Sequence, residues 1–177
     1  MARSACALLA VALVAVPLGR VAAQRQAPSR STTWATVGVG QATWGGITET
    51  GSQLTASHQT GRLVLTGRAL FGFDILGGLL ASPGTVVDVQ DIGLLAGIGN
   101  HPGLIRYSFG AGLGITTLTF TNGSKTRNES VVGVPLETQL FVQPFRFAAI
   151  GLYGYGDVNK QRSFWGWSIS VAVGRLR

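Results

Sequence analysis

Two histidines, His58 and His101, are the first residues to consider for chemistry, because imidazole is the most common general base in enzymes. A hydrolase built on either of them needs a serine nucleophile within hydrogen-bond reach and an acid that orients the ring. Ser57 directly precedes His58, but consecutive residues of a strand point to opposite faces. We therefore expect that the chain has no catalytic residue and is not an enzyme.

Four charged residues fall inside segments that are otherwise apolar, small or hydroxyl-bearing, namely Arg68, Asp74, Asp91 and Glu137. A charge enclosed in a narrow interior is costly unless it is paired, so we expect Arg68 to bridge Asp91 or Glu137. Arg106 is expected near one mouth of the same interior. Such a network is either a gate across a narrow pathway or a plug that closes the interior, and we favour the plug.

Other chemistry finds little support in the composition. The single cysteine, Cys6, lies in the apolar leader, and no His, Asp or Glu cluster has metal-ligand spacing, so we expect no metal and no cofactor. The formal net charge is +7, and removal of Arg3 and Arg20 with the leader leaves twelve basic against seven acidic residues. These charges are scattered, whereas a nucleic-acid-binding protein needs a basic patch.

The order of segments gives the domain organisation. Residues 1–23 have a positive start, a short apolar run and small residues before Gln24, which predicts a cleaved signal peptide. Residues 24–33 form a short polar linker, and residues 34–177 form one domain rich in glycine, β-branched and aromatic residues.

Eight segments of this domain alternate in side-chain character, at residues 34–44, 51–58, 63–74, 86–99, 104–120, 131–143, 146–157 and 163–175. The clearest sets a broad apolar row against a small or polar row, with Tyr107, Phe109, Ala111, Leu113 and Ile115 opposite Ser108, Gly110, Gly112, Gly114 and Thr116. A membrane barrel turns such a row outward, and a secreted soluble barrel that binds a ligand inside turns it inward. For residues 146–157 the outward row stays open between Ile150–Leu152 and Tyr153–Tyr155.

The gaps between these segments predict the orientation. Residues 59–62, 100–103 and 144–145 are tight, and residues 45–50, 75–85, 121–130 and 158–162 are longer. This alternation is typical of an eight-stranded antiparallel up-and-down barrel with both termini in the periplasm. The loop at 121–130 contains Lys125 and Arg127, and it is either a solvated loop or a contact to lipopolysaccharide phosphates or another surface partner.

On the Tyr107–Ile115 row and the final strand Trp165-Gly166-Trp167-Ser168-Ile169-Ser170-Val171, the chain resembles the small outer-membrane β-barrel proteins of Gram-negative bacteria. Members of that family typically end on an aromatic residue that the assembly machinery reads, whereas this chain ends Gly174-Arg175-Leu176-Arg177. Amphipathic aromatic rings favour the membrane–water interface, so we assign that position to Trp34, Trp44, Phe73, Tyr107, Trp165 and Trp167.

The resemblance implies a bacterial outer-membrane protein that contacts outer-membrane lipids, lipopolysaccharide and the barrel assembly machinery. We expect a monomer with a structural or surface-interaction role and a lumen plugged by side chains. A narrow channel for small or apolar solutes is the first alternative. A lipid A-modifying enzyme is the second, since some members use a His with a Ser and an acid. Both histidines here fall at predicted periplasmic turns, far from the outer leaflet.

Overall fold

The chain forms a closed barrel of eight antiparallel strands in a computed structural model that describes residues 31–44, 47–73, 86–100, 103–122, 125–161 and 163–176. Each strand pairs with the next one along the chain, and β8 closes the barrel by pairing with β1. The strands are β1 (Thr32–Trp44), β2 (Ile47–Thr60), β3 (Leu63–Phe73), β4 (Val86–Gly99), β5 (Ile105–Asn122), β6 (Lys125–Val142), β7 (Ala148–Val158) and β8 (Phe164–Arg175). The predicted strand number and antiparallel order are confirmed. The described residues include no helix that is long and apolar enough to cross a membrane.

The broad apolar rows point outward. In β5, Tyr107, Leu113 and Ile115 are exposed, while Ser108 and Thr116 are buried in the lumen. The soluble alternative requires the opposite arrangement. In β7, Ile150 and Leu152 are outside and the tyrosines Tyr153 and Tyr155 are inside, which settles the row that the sequence left open.

Two predicted loops are wrong. β1 ends at Trp44 and β2 begins at Ile47, so most of residues 45–50 belong to strands. β5 ends at Asn122 and β6 begins at Lys125, so only two residues of the predicted loop 121–130 lie between strands. The gap lengths therefore do not alternate as predicted, and only residues 74–85 form a long gap.

The physical reason is that strands continue beyond the apolar belt. Alternating hydrophobicity marks only the part of a strand that faces lipid, and a polar extension keeps its ladder without that pattern. Hydroxyl pairs join neighbouring strands there, with Thr43 Oγ1 3.0 Å from Thr48 Oγ1 and Thr117 Oγ1 3.1 Å from Ser130 Oγ. Threonine also favours extended backbone, so these threonine-rich segments form hairpin ends.

An even strand number brings both ends of the barrel domain to one side. We call the side that holds Thr32 and Arg175 the terminal end, and the side that holds Trp44 and Phe164 the far end. The β2–β3 connection at the terminal end is only two residues long, and Gly61 adopts φ 61°, a conformation that glycine accepts without strain. The lumen between the two ends contains the side chains that the sequence singled out.

Candidate functional site

The centre of the lumen holds a buried ion pair. Arg68 on β3 donates from Nη2 and Nε to Asp91 Oδ2 on β4, at 2.6 and 3.1 Å, and both side chains have no solvent exposure. The second carboxylate oxygen of Asp91 accepts a hydrogen bond of 3.0 Å from Thr116 Oγ1. The carboxylate is thus satisfied on both oxygens, which is the condition under which a buried charge is tolerated.

Arg68 also connects opposite walls of the barrel. Its Nη1 donates to Leu136 O on β6 at 2.8 Å, and its Nη2 donates to Gly156 O on β7 at 3.3 Å. Arginine suits this position because its planar guanidinium carries five N–H donors in fixed directions. One side chain therefore joins four strands across the lumen.

Glu137, the other acid predicted to meet Arg68, belongs to a separate chain of hydrogen bonds. Its carboxylate accepts from Tyr153 Oη at 2.7 Å and from Gln139 Nε2 at 3.3 Å. Gln139 Oε1 in turn accepts from Trp34 Nε1 at 3.3 Å. This chain runs from the middle of the lumen toward the terminal end.

Trp34 lies inside the lumen near the terminal end, so its assignment to the membrane interface is wrong. The indole is only 2% exposed, and the Arg106 guanidinium carbon lies 4.1 Å from the ring centroid. Arg106 Nη2 also donates to Leu176 O at 2.7 Å and to Thr32 Oγ1 at 3.2 Å. The sequence itself indicated this position. In a strand, Trp34 points to the same face as Gly38, and that face of β1 lines the lumen.

Apolar side chains surround Trp34 and form a cluster with it, which we call the terminal plug. Phe141 and Leu176 have no exposed surface, and Val64, Ala149 and Ala172 complete the cluster. Leu176 follows the last residue of β8, and its side chain occupies the lumen. Leu176 therefore helps to fill this part of the barrel.

A second apolar cluster lies in the lumen toward the far end. It consists of Ala42, Leu70, Val89, Tyr153, Tyr155 and Phe164. Tyr155 Oη donates to Gln41 O at 3.2 Å, which holds the ring across the opening. The charged centre therefore lies between two apolar layers.

Asp157 is a third acid in the lumen, and the sequence did not single it out. Its Oδ1 accepts from Asn159 Nδ2 at 2.8 Å, while its buried Oδ2 has no hydrogen-bond partner. A Cβ on Gly133 would overlap this carboxylate, so glycine at 133 provides its space. Asp157 pairs with Pro135, two residues along β6 from Gly133, so this proximity is visible only once the strand register is known.

The other predicted site residues are partly accounted for. Tyr107, Trp165 and Trp167 are exposed on the outer surface. Trp44 and Phe73 end β1 and β3, and Lys125 and Arg127 lie in β6 instead of a loop, but the side chains of these four residues are not described. Asp74 lies outside the described residues, as does His101.

Two outward aromatics were missed. Phe145 and Phe147, between β6 and β7, are 58% and 63% exposed and stack with ring centroids 5.7 Å apart. The sequence placed Phe145 in a tight turn and Phe147 in a strand, which hid their common position at the terminal end. The sequence feature that could have indicated this position is the aromatic pair on either side of Arg146.

His58 lies on the outer face. Its Nδ1 is 2.8 Å from Thr33 Oγ1, and its Nε2 is 3.2 Å from Thr60 Oγ1. Ser57 points into the lumen, where its hydroxyl is 3.1 Å from Thr66 Oγ1. The barrel wall therefore separates this serine from the imidazole. Over the described ranges, no three His, Cys, Asp or Glu side chains form a group suited to a metal ion.

With exposed apolar side chains around a closed ring of eight antiparallel strands, the chain has the fold of the small outer-membrane β-barrels. The Neisserial surface protein A superposes with a TM-score of 0.63 at 13% identity, over 81% of this chain and 96% of that one. The N-terminal barrel domain of Pseudomonas aeruginosa OprF gives 0.61 at 12% identity, over 82% and 99%. Ail, the attachment invasion locus protein of Yersinia pestis, gives 0.59 at 11% identity, over 84% and 99%. No protein-family model and no curated protein matches the sequence.

Proposed function

We propose that this chain is a non-enzymatic barrel of the bacterial outer membrane that does not conduct and that acts through its structure and its surface. The observation that supports this most strongly is the filling of the lumen from both ends around the buried Arg68–Asp91 pair. An eight-stranded barrel has an interior just wide enough for its own side chains. The compared structures include a surface protein and an attachment protein, which is consistent with a surface role.

We also propose that the terminal end faces the periplasm. Both ends of the barrel domain lie there, the connections at this end have two to five residues, and the long gap at 74–85 lies at the far end. Lys125 and Arg127 then lie on the outer side and remain our proposed contacts to lipopolysaccharide. Single cysteines at Arg62 and Lys160 test this orientation in intact cells, since the domain has no cysteine of its own. A membrane-impermeant maleimide should label K160C and not R62C, and the reverse result would refute the orientation.

Planar-bilayer recording tests the closed lumen. The refolded wild type should give no regular conductance steps, because Arg68 and the two apolar clusters leave no continuous path. The variant Trp34→Ala/Leu176→Ala removes two of the large side chains of the terminal plug and should admit ions more readily. Stable unitary steps from the wild type would refute the proposal.

A narrow channel for apolar solutes is the second candidate, and the β6–β7 edge favours it. Pairing between these strands begins at Val134 and Val158, so residues 125–133 of β6 have no β7 partner among the described residues. An outer groove of about 570 Å³ lies beside this edge, along Gly154 and Gly156. Deletion of the gene should slow the entry of apolar antibiotics if this function is correct, and should not change it if the barrel is closed.

A further inference from the structure

We propose that Arg146 and Arg175 bind the headgroup of an anionic phospholipid in the leaflet that faces the terminal end. The Phe145–Phe147 pair packs against the acyl chains of the same lipid. The inference rests on the membrane placement proposed above. It goes beyond that placement by naming the class of lipid that is bound and the residues that bind it.

The backbone places the two arginines side by side. Gly174 N–H donates to Phe147 O at 3.0 Å, and Leu176 N–H donates to Arg146 O at 3.2 Å. Arg175 lies between these two donors, so it is held next to Arg146. Both side chains are exposed, and neither forms an ion pair with a described residue. Adjacent like charges repel each other, and a bound anion relieves that repulsion.

The barrel does not supply that anion within the described residues. Among the described residues, the exposed charged side chains of the terminal end are all basic: Arg62, Arg146 and Arg175. The acidic residues that the structure describes lie in the lumen or toward the far end, at Glu49, Asp88, Asp91, Glu129, Glu137 and Asp157. The terminal end therefore presents a positive rim to whatever surrounds it.

The aromatic pair identifies the surroundings as lipid. Phe145 and Phe147 stack with an interplanar angle of 18° and flank Arg146 in sequence, with their rings largely exposed. Two exposed phenyl rings favour the edge of the bilayer, which places the intervening guanidinium at the headgroups. Guanidinium groups bind phosphate through paired hydrogen bonds, and juxtamembrane cations attract anionic lipids.

Native mass spectrometry of the refolded protein tests the site. The protein is placed in micelles that contain equal amounts of phosphatidylglycerol and phosphatidylcholine, and the identity of the first bound lipid is counted. One cation near an anionic surface favours binding roughly fivefold, so the wild type should prefer phosphatidylglycerol by about that factor or more. R146Q/R175Q should bring the preference close to one, and R146K/R175K should retain part of it.

The variant R62Q/K160Q is the matched control, because it removes the same charge from two other exposed positions. It should keep the wild-type preference. The proposal is overturned if R146Q/R175Q keeps that preference or if R62Q/K160Q loses it equally. It is also overturned if inorganic phosphate displaces the lipid and sulfate at equal ionic strength does not. Heat-modifiability of each refolded variant in vesicles separates the two proposals. A chain that never enters the bilayer refutes the membrane placement, whereas an inserted barrel without lipid preference refutes the site alone.

Discussion

Breaking the Arg68–Asp91 pair should destabilise the barrel more than any single substitution on its outer surface. Arg68→Met removes four donated hydrogen bonds and leaves the Asp91 carboxylate charged and fully buried. Asp91→Asn leaves Arg68 charged, but its bonds to Leu136 O and Gly156 O remain possible. We therefore expect the arginine substitution to be the more damaging of the two.

The expected magnitude follows from the burial. Removal of one partner from a buried ion pair costs about 3–5 kcal/mol, whereas replacement of both partners by apolar groups is often close to neutral. The double variant Arg68→Met/Asp91→Leu should therefore lose less free energy of unfolding than Arg68→Met alone. The coupling energy between the two positions should reach about 3 kcal/mol, near the upper end for residues in contact.

The assay is reversible urea unfolding in phosphatidylcholine vesicles, followed by tryptophan fluorescence and by the gel shift on boiling. Lys160→Gln is the control, because its exposed side chain makes no ion pair with a described residue and its loss should stay within about 0.5 kcal/mol. Losses below about 1 kcal/mol for both single variants would refute the reasoning. So would a double variant whose loss equals the sum of the losses of Arg68→Met and Asp91→Leu, each measured alone.

Three further predictions concern two lumen positions and one histidine on the outer face. Tyr153→Phe leaves the buried Glu137 carboxylate without its shortest donor and should lower the free energy of unfolding by about 1–3 kcal/mol in the same assay. The valine side chain of Gly133→Val would collide with the Asp157 carboxylate. This variant should either lose the gel shift or lose about 1–3 kcal/mol of free energy of unfolding. Wild-type behaviour would contradict the assigned register. His58→Ala should leave lipid A unchanged by mass spectrometry, and an altered acylation pattern would revive the enzymatic alternative.

The sequence predicted the faces of the strands better than their ends. A period of two assigns each side chain to a face, and this works for Tyr107, Leu113 and Ile115 because lipid demands apolar groups there. The same pattern disappears where a strand leaves the apolar belt. The sequence therefore predicts loops at residues 45–50 and 121–130, where threonines in fact continue the ladders.

Contacts inside the lumen were harder to predict than the list of residues that face it. Arg68 was expected to meet Asp91 or Glu137, and the choice depends on strand register and tilt. The bonds from Arg68 to Leu136 O and Gly156 O join residues 68 and 88 positions apart in sequence. No local pattern encodes such distances, because they follow from closure of the whole barrel.

Trp34 shows which rule takes precedence when two sequence rules conflict. Its position at the start of β1 suggested an interfacial aromatic, whereas its parity with Gly38 indicated the lumen. The parity rule is the stronger. Turning Trp34 outward would require β1 to shift by one residue, and that shift would turn every side chain of the strand to the opposite face. A bulky residue on a small-residue row then has to fill the space that its neighbours leave, and at Trp34 this space is bounded by Arg106 and Leu176. Conservative changes at Leu176 should consequently affect the packing of Trp34, although the two residues lie at opposite ends of the domain sequence.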